Sequence, residues 1–283
     1  MLLLRLAAAA VTGVAALLSV RRYHRERAIA ALRRDLRDAL LLLDDPPAVL
    51  VAGFRAHGKS SFVNTACRVL SGESGQLILR AQTAPGGGAT LERRVVRAPV
   101  ARPPEGEGGE EEEEEDADDG AVVDLVDAPP FPEPRRLTDA DVEAALAGAP
   151  TAECVVLVLR CGGSSKQRHV AVKKLAEVAN AIRQRGLQFV VVLTRKNNLK
   201  SKSEASKLRR KVVARAQIDC VYFLENYIVD EMLNFKRPWS TKNQFETHFT
   251  TLVIMRQCVE FVKVHRSNNS LRSKKIENNV IIK

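Results

Sequence analysis

The sequence predicts an α/β protein of three layers, with a mainly parallel sheet between two layers of helices. Short continuous apolar runs, typical of strands buried on both faces of a parallel sheet, recur at residues 48–52, 121–126, 154–159, 189–193 and 220–224. Segments with the apolar spacing of helices separate them, and strands that alternate with helices form right-handed crossover units. We therefore expect helices on both sheet faces, and a sixth strand at an edge from residues 91–100.

The composition indicates one principal domain with an uneven distribution of charge. The chain has 283 residues, of which 45% are hydrophobic, and it contains 44 basic and 34 acidic side chains. Acidic residues crowd into residues 103–120, where we expect a disordered insertion or an acidic flap that competes with phosphates. The remainder is strongly basic, which favours phosphate-rich partners such as anionic lipid or nucleic acid.

The cysteine content indicates a reducing compartment. The chain has 5 cysteines, an odd number, and no two of them form a CxxC pair. Several lie in or beside apolar runs, where cysteine behaves as a small hydrophobe. This pattern argues against a disulfide framework and against a zinc site.

An apolar stretch opens the chain, since residues 2–20 are broken only by Arg5 and a few small or hydroxyl-bearing side chains. As a helix this stretch would rise roughly 28 Å, close to the hydrocarbon thickness of a bilayer. An arginine cluster follows, at Arg21, Arg22, Arg25 and Arg27. We expect residues 1–21 to be a transmembrane signal-anchor in the endoplasmic reticulum or the mitochondrial outer membrane, with the domain in the cytosol. A mitochondrial presequence or a cleaved signal peptide is the alternative.

A second helical pattern occupies residues 22–45. Its apolar stripe recurs at steps of three and four and consists of Ile29, Leu32, Leu36, Leu40 and Leu43. Because the stripe is too short for sustained heptads, this amphipathic helix should pack on the domain rather than form a coiled coil. The domain itself should span residues 46–267, and residues 268–283 form a basic tail that we expect to be poorly ordered.

A glycine motif follows the first predicted strand directly. Residues 53–60 read Gly-Phe-Arg-Ala-His-Gly-Lys-Ser and match the pattern GxxxxGK[ST], with a helical stretch next. This arrangement turns backbone N–H groups and the positive end of a helix toward one anion. Lys59 should reach the β- and γ-phosphates of a nucleotide, and the Ser60 hydroxyl should ligate Mg²⁺. The full set expected to bind nucleotide here is Gly53, His57, Gly58, Lys59, Ser60 and Ser61.

A carboxylate is also required, at the end of a neighbouring strand, to hold the hydration shell of Mg²⁺. Asp127 directly follows the second apolar run and meets this requirement. With it the chain resembles the P-loop NTPases, and among them the GTPases with a TRAFAC-like G domain, over roughly residues 48–267. The resemblance implies the P-loop NTPase fold, with GTP or GDP and Mg²⁺ as the bound groups.

The third motif of these GTPases is DxxG, and here it reads Asp127-Ala128-Pro129-Pro130. In the family the backbone N–H of the glycine bonds the γ-phosphate, and Pro130 has no N–H to donate. Phe131 follows, where Ras-like members carry a glutamine that orients water. The resemblance therefore implies altered sensing of the γ-phosphate and no fast intrinsic hydrolysis by the Ras route.

The guanine-reading motif of the family, [NT]KxD, follows a strand, and Thr194-Arg195-Lys196-Asn197 follows the fourth apolar run. The resemblance implies that Thr194 braces the loop, that Arg195 stacks on the base and that Asn197 replaces the aspartate. An asparagine amide offers one acceptor, whereas an aspartate accepts from both N1–H and N2–H of guanine, so guanine preference should weaken or change. A merely basic loop is the alternative. Asn226 is assigned to the last base-binding loop by its position alone.

Two more residues take roles by resemblance to GTPases. Thr90 ends a glycine-rich stretch and is preferred to Thr83 as the threonine that completes the Mg²⁺ and γ-phosphate contacts, although a plain loop explains the glycines as well. Arg55 is similar to a P-loop side chain that stabilises transition-state charge in dynamin-like and guanylate-binding GTPases. An Arg55 that points to solvent is equally consistent with the sequence. Residues 53–64 and 223–227 also look faintly like interferon-inducible GTPase relatives.

Together these features predict a membrane-anchored, Mg²⁺-dependent guanine-nucleotide-binding protein with slow or partner-stimulated GTP hydrolysis, acting as a switch or scaffold. The alternative is a pseudo-GTPase, an interaction module without turnover, which Pro130, Phe131 and Asn197 favour. A P-loop ATPase or kinase ranks below both. A protein partner or a dimer of G domains is a further candidate, and nucleic acid is not expected because aromatic side chains do not interleave with the basic segments.

Overall fold

The computed structural model of the protein describes residues 2–72, 92–103, 120–227 and 244–281, and the side chains within these ranges from residue 12 to residue 271. Thr83 and Thr90 lie outside the described residues. The same holds for nearly all of the acidic insertion expected at residues 103–120.

Helices and strands alternate along most of the chain. In order they are α1 Leu2–Leu41, β1 Ala48–Gly53, α2 Lys59–Ser71, β2 Arg94–Pro99, β3 Val122–Asp127, α3 Asp139–Leu146, β4 Cys154–Arg160, α4 Ser165–Gln184, β5 Gln188–Thr194, a 3₁₀ turn Lys196–Asn198, α5 Lys202–Ala216, β6 Val221–Leu224 and α6 Phe245–Ile281. The five strands predicted from apolar runs are all present. The predicted edge strand is present as β2.

One sheet holds all six of these strands in the order β2-β3-β1-β4-β5-β6. The pairs β1–β3, β1–β4, β4–β5 and β5–β6 are parallel, and β2 is antiparallel to β3 at the edge. The carboxyl ends of the five parallel strands therefore meet at one edge of the sheet, which we call the carboxyl edge. Loops that leave these strands lie side by side there.

The side chains of β1 alternate between two separate cores. Val49 and Val51 pack with α1, α2 and α6 on one face of the sheet. Leu50 and Ala52 pack with α3, α4 and α5 on the other face. Because burial of a Val or Leu side chain stabilises a fold by roughly 1.5–3 kcal/mol, both faces hold their helices firmly. The prediction of a three-layer α/β fold with a mainly parallel sheet is confirmed.

The first helix joins the two helical segments predicted at residues 1–21 and 22–45 into one continuous element, α1. Its second half packs on the domain as predicted, since Leu36 and Leu40 are buried in the core. In the described part of the chain, no helix combines the length and the apolarity needed to cross a membrane.

The last helix departs from the sequence prediction. Residues 268–283 are predicted to form a poorly ordered tail, but α6 continues to Ile281, so residue 267 is not a structural boundary. The sequence contains no glycine or proline after Pro238, and these are the residues that most strongly interrupt a helix. The polar composition of residues 268–283 was therefore not sufficient to predict where this helix ends.

Helix α3 is an element that apolar patterning missed. It is short, but a capping box starts it: the Asp141 backbone N–H donates to the Thr138 hydroxyl over 3.3 Å, and the Thr138 N–H donates to the Asp141 carboxylate over 2.9 Å. This pair satisfies two N–H groups that a helix start otherwise leaves open. A threonine followed three residues later by an acidic residue was the signal available in the sequence.

Candidate functional site

The loop between β1 and α2 requires glycine at two positions. Gly53 has a φ of 151°, and a Cβ atom there would lie 2.4 Å from the carbonyl oxygen of Val158 in β4. Gly58 has a φ of 93° and is the N-cap of α2. Since other residues rarely adopt these backbone angles, both glycines of the motif are explained by geometry.

The N-terminus of α2 lies at the carboxyl edge, shortly after the end of β1. Gly58 caps it without a side chain, and no side-chain hydrogen bond to this cap occurs among the described residues. Lys59, Ser60 and Ser61 form the first turn, whose N–H groups have no partner within the helix. Together with the helix dipole, such N–H groups form a site that favours an anion.

A hydroxyl and a carboxylate meet beside this turn. The Ser60 Oγ donates a hydrogen bond of 2.6 Å to Asp127 Oδ2 at the end of β3. Asp127 is buried, and its other oxygen, Oδ1, has no hydrogen-bond partner in the described structure. Burial raises the pKa of Asp127, although the hydrogen bond from Ser60 and the charge of Lys59 oppose this shift. The unpartnered oxygen is therefore suited to a further ligand.

Lys59 brings a positive charge to the same place. Its side chain is buried, and burial lowers its pKa, while the nearby Asp127 carboxylate acts in the opposite direction. Hydroxyl and carboxylate oxygens are the ligands that Mg²⁺ prefers. Over the residues described, no group of three or more His, Cys, Asp or Glu side chains could hold a metal ion. Mg²⁺ would be held by Ser60 and the free oxygen of Asp127 together with oxygens of a bound ligand.

Two loops from distant strands hold the glycine loop in place. The Thr194 hydroxyl, at the end of β5, donates to the carbonyl oxygen of His57 over 2.7 Å. The Asn226 amide, after β6, donates to the carbonyl oxygen of Gly58 over 3.2 Å. The structure therefore places both predicted residues against the glycine loop, and their predicted roles in binding a base stay predictions.

The His57 ring packs against the protein, beside Phe54. Its Nδ1 accepts a hydrogen bond of 3.3 Å from the backbone N–H of Arg160, at the end of β4. Burial lowers the pKa of His57 to about 4, and the charges of Arg160, Lys59 and Arg195 add to this effect. A neutral imidazole in this position supports the loop. The predicted contact of His57 with a nucleotide stays a prediction.

Arg160 is a residue of this edge that the sequence analysis missed. It ends β4, next to β1 in the sheet, and the charge of Arg160 acts directly on His57. Its Nε is buried without a partner in the described residues. The available signal was its position, because a basic residue directly after the third apolar run must lie at the carboxyl edge.

The segment after Asp127 folds back onto the glycine loop. The Phe131 N–H donates to the Gly53 carbonyl over 3.0 Å, and the Arg55 N–H donates to the Phe131 carbonyl over 3.2 Å. The Phe131 ring is buried and packs on Phe54, with ring centroids 5.6 Å apart. Phe131 is therefore a core residue. The Arg55 side chain is exposed, which matches the alternative that it points to solvent.

The region predicted to read a base contains an additional acidic residue. Arg195 is exposed, with a φ of 57°, and Asn197 is exposed two residues later in the 3₁₀ turn. The Asn197 backbone N–H donates to the Glu225 carboxylate over 3.1 Å. Glu225 directly follows β6, so its place at this edge was available from the sequence, whereas its contact with Asn197 was not.

The fold and the site define a class of protein: a three-layer α/β domain in which a glycine loop, a helix N-terminus and a paired hydroxyl and carboxylate meet at the carboxyl edge of a mainly parallel sheet. No family model and no curated protein matches the chain. A solved crystal structure of an SsGBP mutation variant is similar over 64% of this chain, with 16% identity and a TM-score of 0.37. The chain covers 50% of that protein.

Proposed function

We propose that this chain is a P-loop protein that binds a guanine nucleotide with Mg²⁺, hydrolyses GTP slowly or with the help of a partner, and acts as a switch or scaffold at a membrane. The observation that carries the proposal is the 2.6 Å contact between Ser60 and Asp127. It joins the serine of the glycine motif to the carboxylate of the neighbouring strand, beside a buried Lys59. These three groups are the ones that nucleotide phosphates and Mg²⁺ require.

Each part of the site would have a separate role in binding the nucleotide. The N–H groups at the start of α2 bind phosphate oxygens, and Lys59 neutralises charge on the terminal phosphates. Ser60 and the free oxygen of Asp127 hold Mg²⁺ and its water shell, and bound Mg²⁺ neutralises phosphate charge. Thr194 and Asn226 keep the loop in the shape that binding needs.

Slow turnover follows from the segment after Asp127. Pro130 has no N–H to bond a γ-phosphate. Phe131 is buried against Phe54 and offers no group that could orient a water molecule. Any acceleration would then need a group from a partner or from Arg55, whose exposed side chain lies in the loop itself.

A titration of the protein with labelled GTP, ATP and XTP, with and without Mg²⁺, tests the proposal. We expect GTP to bind most tightly, Mg²⁺ to strengthen binding, and Lys59→Ala to abolish it. Lys173→Ala is the matched control, because Lys173 is exposed in the middle of α4, away from the loop. Tighter binding of ATP would contradict the guanine assignment, and no binding of any nucleotide would contradict the proposal as a whole.

The second candidate is a pseudo-GTPase that keeps the fold as an interaction module without turnover. The two backbone hydrogen bonds between Phe131 and the glycine loop favour it, because they tie down a segment that would have to respond to the γ-phosphate. Phosphate release from GTP under saturating conditions separates the candidates. Release that exceeds the Lys59→Ala background supports the first, and binding without release supports the second.

Membrane attachment is the remaining part of the proposal. The first half of α1 is apolar and is followed by an arginine cluster, which is the pattern of a membrane anchor with a cytosolic domain. We expect the full chain to sediment with membranes and Val20→Arg to release it. Val264→Arg is the control, since Val264 is comparably exposed on α6. A wild-type chain found in the soluble fraction would contradict attachment.

A further inference from the structure

Helices α1 and α6 run in the same direction. The Arg25 guanidinium lies 5.1 Å from the centroid of the Phe245 ring, and Arg256 forms an ion pair of 2.7 Å with Asp35. Contacts therefore advance by similar steps along both helices. The two helices therefore have the same direction relative to the sheet.

Both helices enter the domain at the carboxyl edge. In the first turn of α6, the Thr247 hydroxyl donates to the carbonyl oxygen of Glu225, directly after β6, over 3.1 Å. Glu246 pairs over 3.2 Å with Lys196, two residues after the end of β5. The start of α6 is thus level with the loops that surround the glycine motif.

The opposite ends of the helices reach the other edge of the sheet. Arg266 of α6 pairs over 2.6 Å with Glu153, which directly precedes β4. The same guanidinium donates over 3.0 Å to the carbonyl oxygen of Asp45, between α1 and β1. From the carboxyl edge, α1 and α6 therefore cross the whole depth of the sheet.

The first half of α1 projects beyond the carboxyl edge. Arg25 is level with Phe245, the first residue of α6, so residues 2–24 precede the domain and extend roughly 35 Å past it as helix. Large apolar side chains on the described part of this projection are each more than half exposed: Val14, Leu17, Leu18, Val20 and Tyr23.

A band of positive charge surrounds α1 where it leaves the domain. The exposed arginines of this basic collar are Arg21, Arg22, Arg25 and Arg27, within a rise of about 9 Å. Further exposed cations lie at the carboxyl edge, on loops at Arg55 and Arg195 and in the first turn of α4 at Lys166. An apolar projection above a positive surface is complementary to a bilayer with anionic headgroups.

We propose that the projecting half of α1 enters an anionic bilayer and thereby holds the carboxyl edge, with its glycine loop, against the lipid headgroups. This inference rests on the proposed membrane attachment and adds an orientation to it. The collar is level with the first turn of α6, which contacts Glu225, and the neighbouring Asn226 bonds Gly58, so the headgroups lie close to the glycine loop. Nucleotide and any activating partner then reach the loop from the side, between the sheet edge and the membrane.

The orientation can be measured by energy transfer to vesicles. The full chain carries a donor dye at Lys166→Cys, near the carboxyl edge, or at Asn268→Cys, past the opposite edge, and the acceptor dye is attached to headgroups. Both variants also carry Cys220→Ser, because Cys220 is half-buried and the other four cysteines are buried. Vesicles contain phosphatidylcholine with phosphatidylserine, or phosphatidylcholine alone.

We expect binding to the phosphatidylserine vesicles, with transfer at least about threefold more efficient from position 166 than from position 268, since roughly 35 Å of α6 separates the two levels. Arg21→Glu with Arg25→Glu should weaken this binding. Equal transfer, or stronger transfer from position 268, overturns the orientation while attachment stands. Absence of vesicle binding overturns both. If the chain instead forms dimers that Val20→Arg disrupts, a second copy of the chain covers the apolar projection, and this result also overturns the proposal.

Discussion

The Ser60 hydroxyl and the Asp127 carboxylate lie 2.6 Å apart although 67 residues separate them in the chain. They meet because β1 and β3 are adjacent parallel strands, with Val51 opposite Asp127, so the loop after one lies beside the end of the other. The contact uses only one carboxylate oxygen. The second oxygen, Oδ1, is buried without a partner in the described structure. A ligand would bind to this oxygen.

The substitution Asp127→Asn removes the charge of the carboxylate but keeps the shape of the side chain. In Asp127→Asn the amide oxygen still accepts from Ser60, but the negative charge is lost. We expect the Mg²⁺-dependent part of GTP affinity to fall about 10–100-fold. The free energy of unfolding without ligand should stay level or rise, because burial raises the pKa of Asp127 and thus disfavours its charge.

Calorimetric titration and urea unfolding measure these two effects. Asp139→Asn is the control, since Asp139 is exposed at the start of α3. A loss of stability in Asp127→Asn without a change in the effect of Mg²⁺ would mean that the carboxylate is only a structural partner of Ser60.

The Thr194 hydroxyl should stabilise the glycine loop. Thr194→Val keeps the volume of the side chain but leaves the carbonyl oxygen of His57 without its 2.7 Å partner. We expect a loss of about 1–2 kcal/mol in the free energy of unfolding, together with weaker nucleotide binding. Urea unfolding beside Thr151→Val, a change at an exposed loop position, provides the comparison. Equal stability of both variants would show that the hydrogen bond does not hold the loop.

Gly53 should tolerate no side chain. Gly53→Ala places a Cβ atom 2.4 Å from the Val158 carbonyl oxygen and forces an unfavourable φ of 151°. We expect a loss of at least about 2 kcal/mol in the free energy of unfolding. Gly13→Ala, in α1, meets nothing within 4 Å and should not destabilise the chain. Thermal unfolding of both variants decides the matter, and a native melting temperature for Gly53→Ala would refute the close approach of β1 and β4.

His248 should make the fold sensitive to acid. Burial, with added repulsion from Arg33 and Arg68, lowers the pKa of His248 to about 4. The unfolded chain binds the proton near pH 6.5, so the folded state is fully favoured above that pH and loses stability as the pH falls toward 4. Between pH 7.5 and pH 5 this loss amounts to about 2 kcal/mol.

Urea unfolding at the two pH values, for the wild type and His248→Gln, measures this contribution. The difference between the two pH values should shrink in His248→Gln and stay unchanged in His24→Gln, because His24 is exposed on α1. An undiminished difference in His248→Gln would assign the acid sensitivity to other groups.

The sequence by itself determined the strands, the layers and the two glycines of the loop. Strands buried on both faces are rich in apolar residues: all six residues of β1 are apolar or glycine, whereas in β3 Asp124 interrupts the apolar run and Asp127 ends it. A glycine motif directly after the first run predicts an anion site through local geometry alone. These features depend on neighbours in the chain, and a single sequence contains them.

Only the tertiary structure decided which groups meet at the site. His57 turns to Arg160, Asn226 reaches Gly58, and Phe131 enters the core, because strands far apart in sequence become neighbours in the sheet. The parallel course of α1 and α6 likewise depends on packing against the sheet. Local patterns specify which face of an element is buried. Which element covers that buried face depends on the packing of the whole chain, and it cannot be deduced from a local pattern.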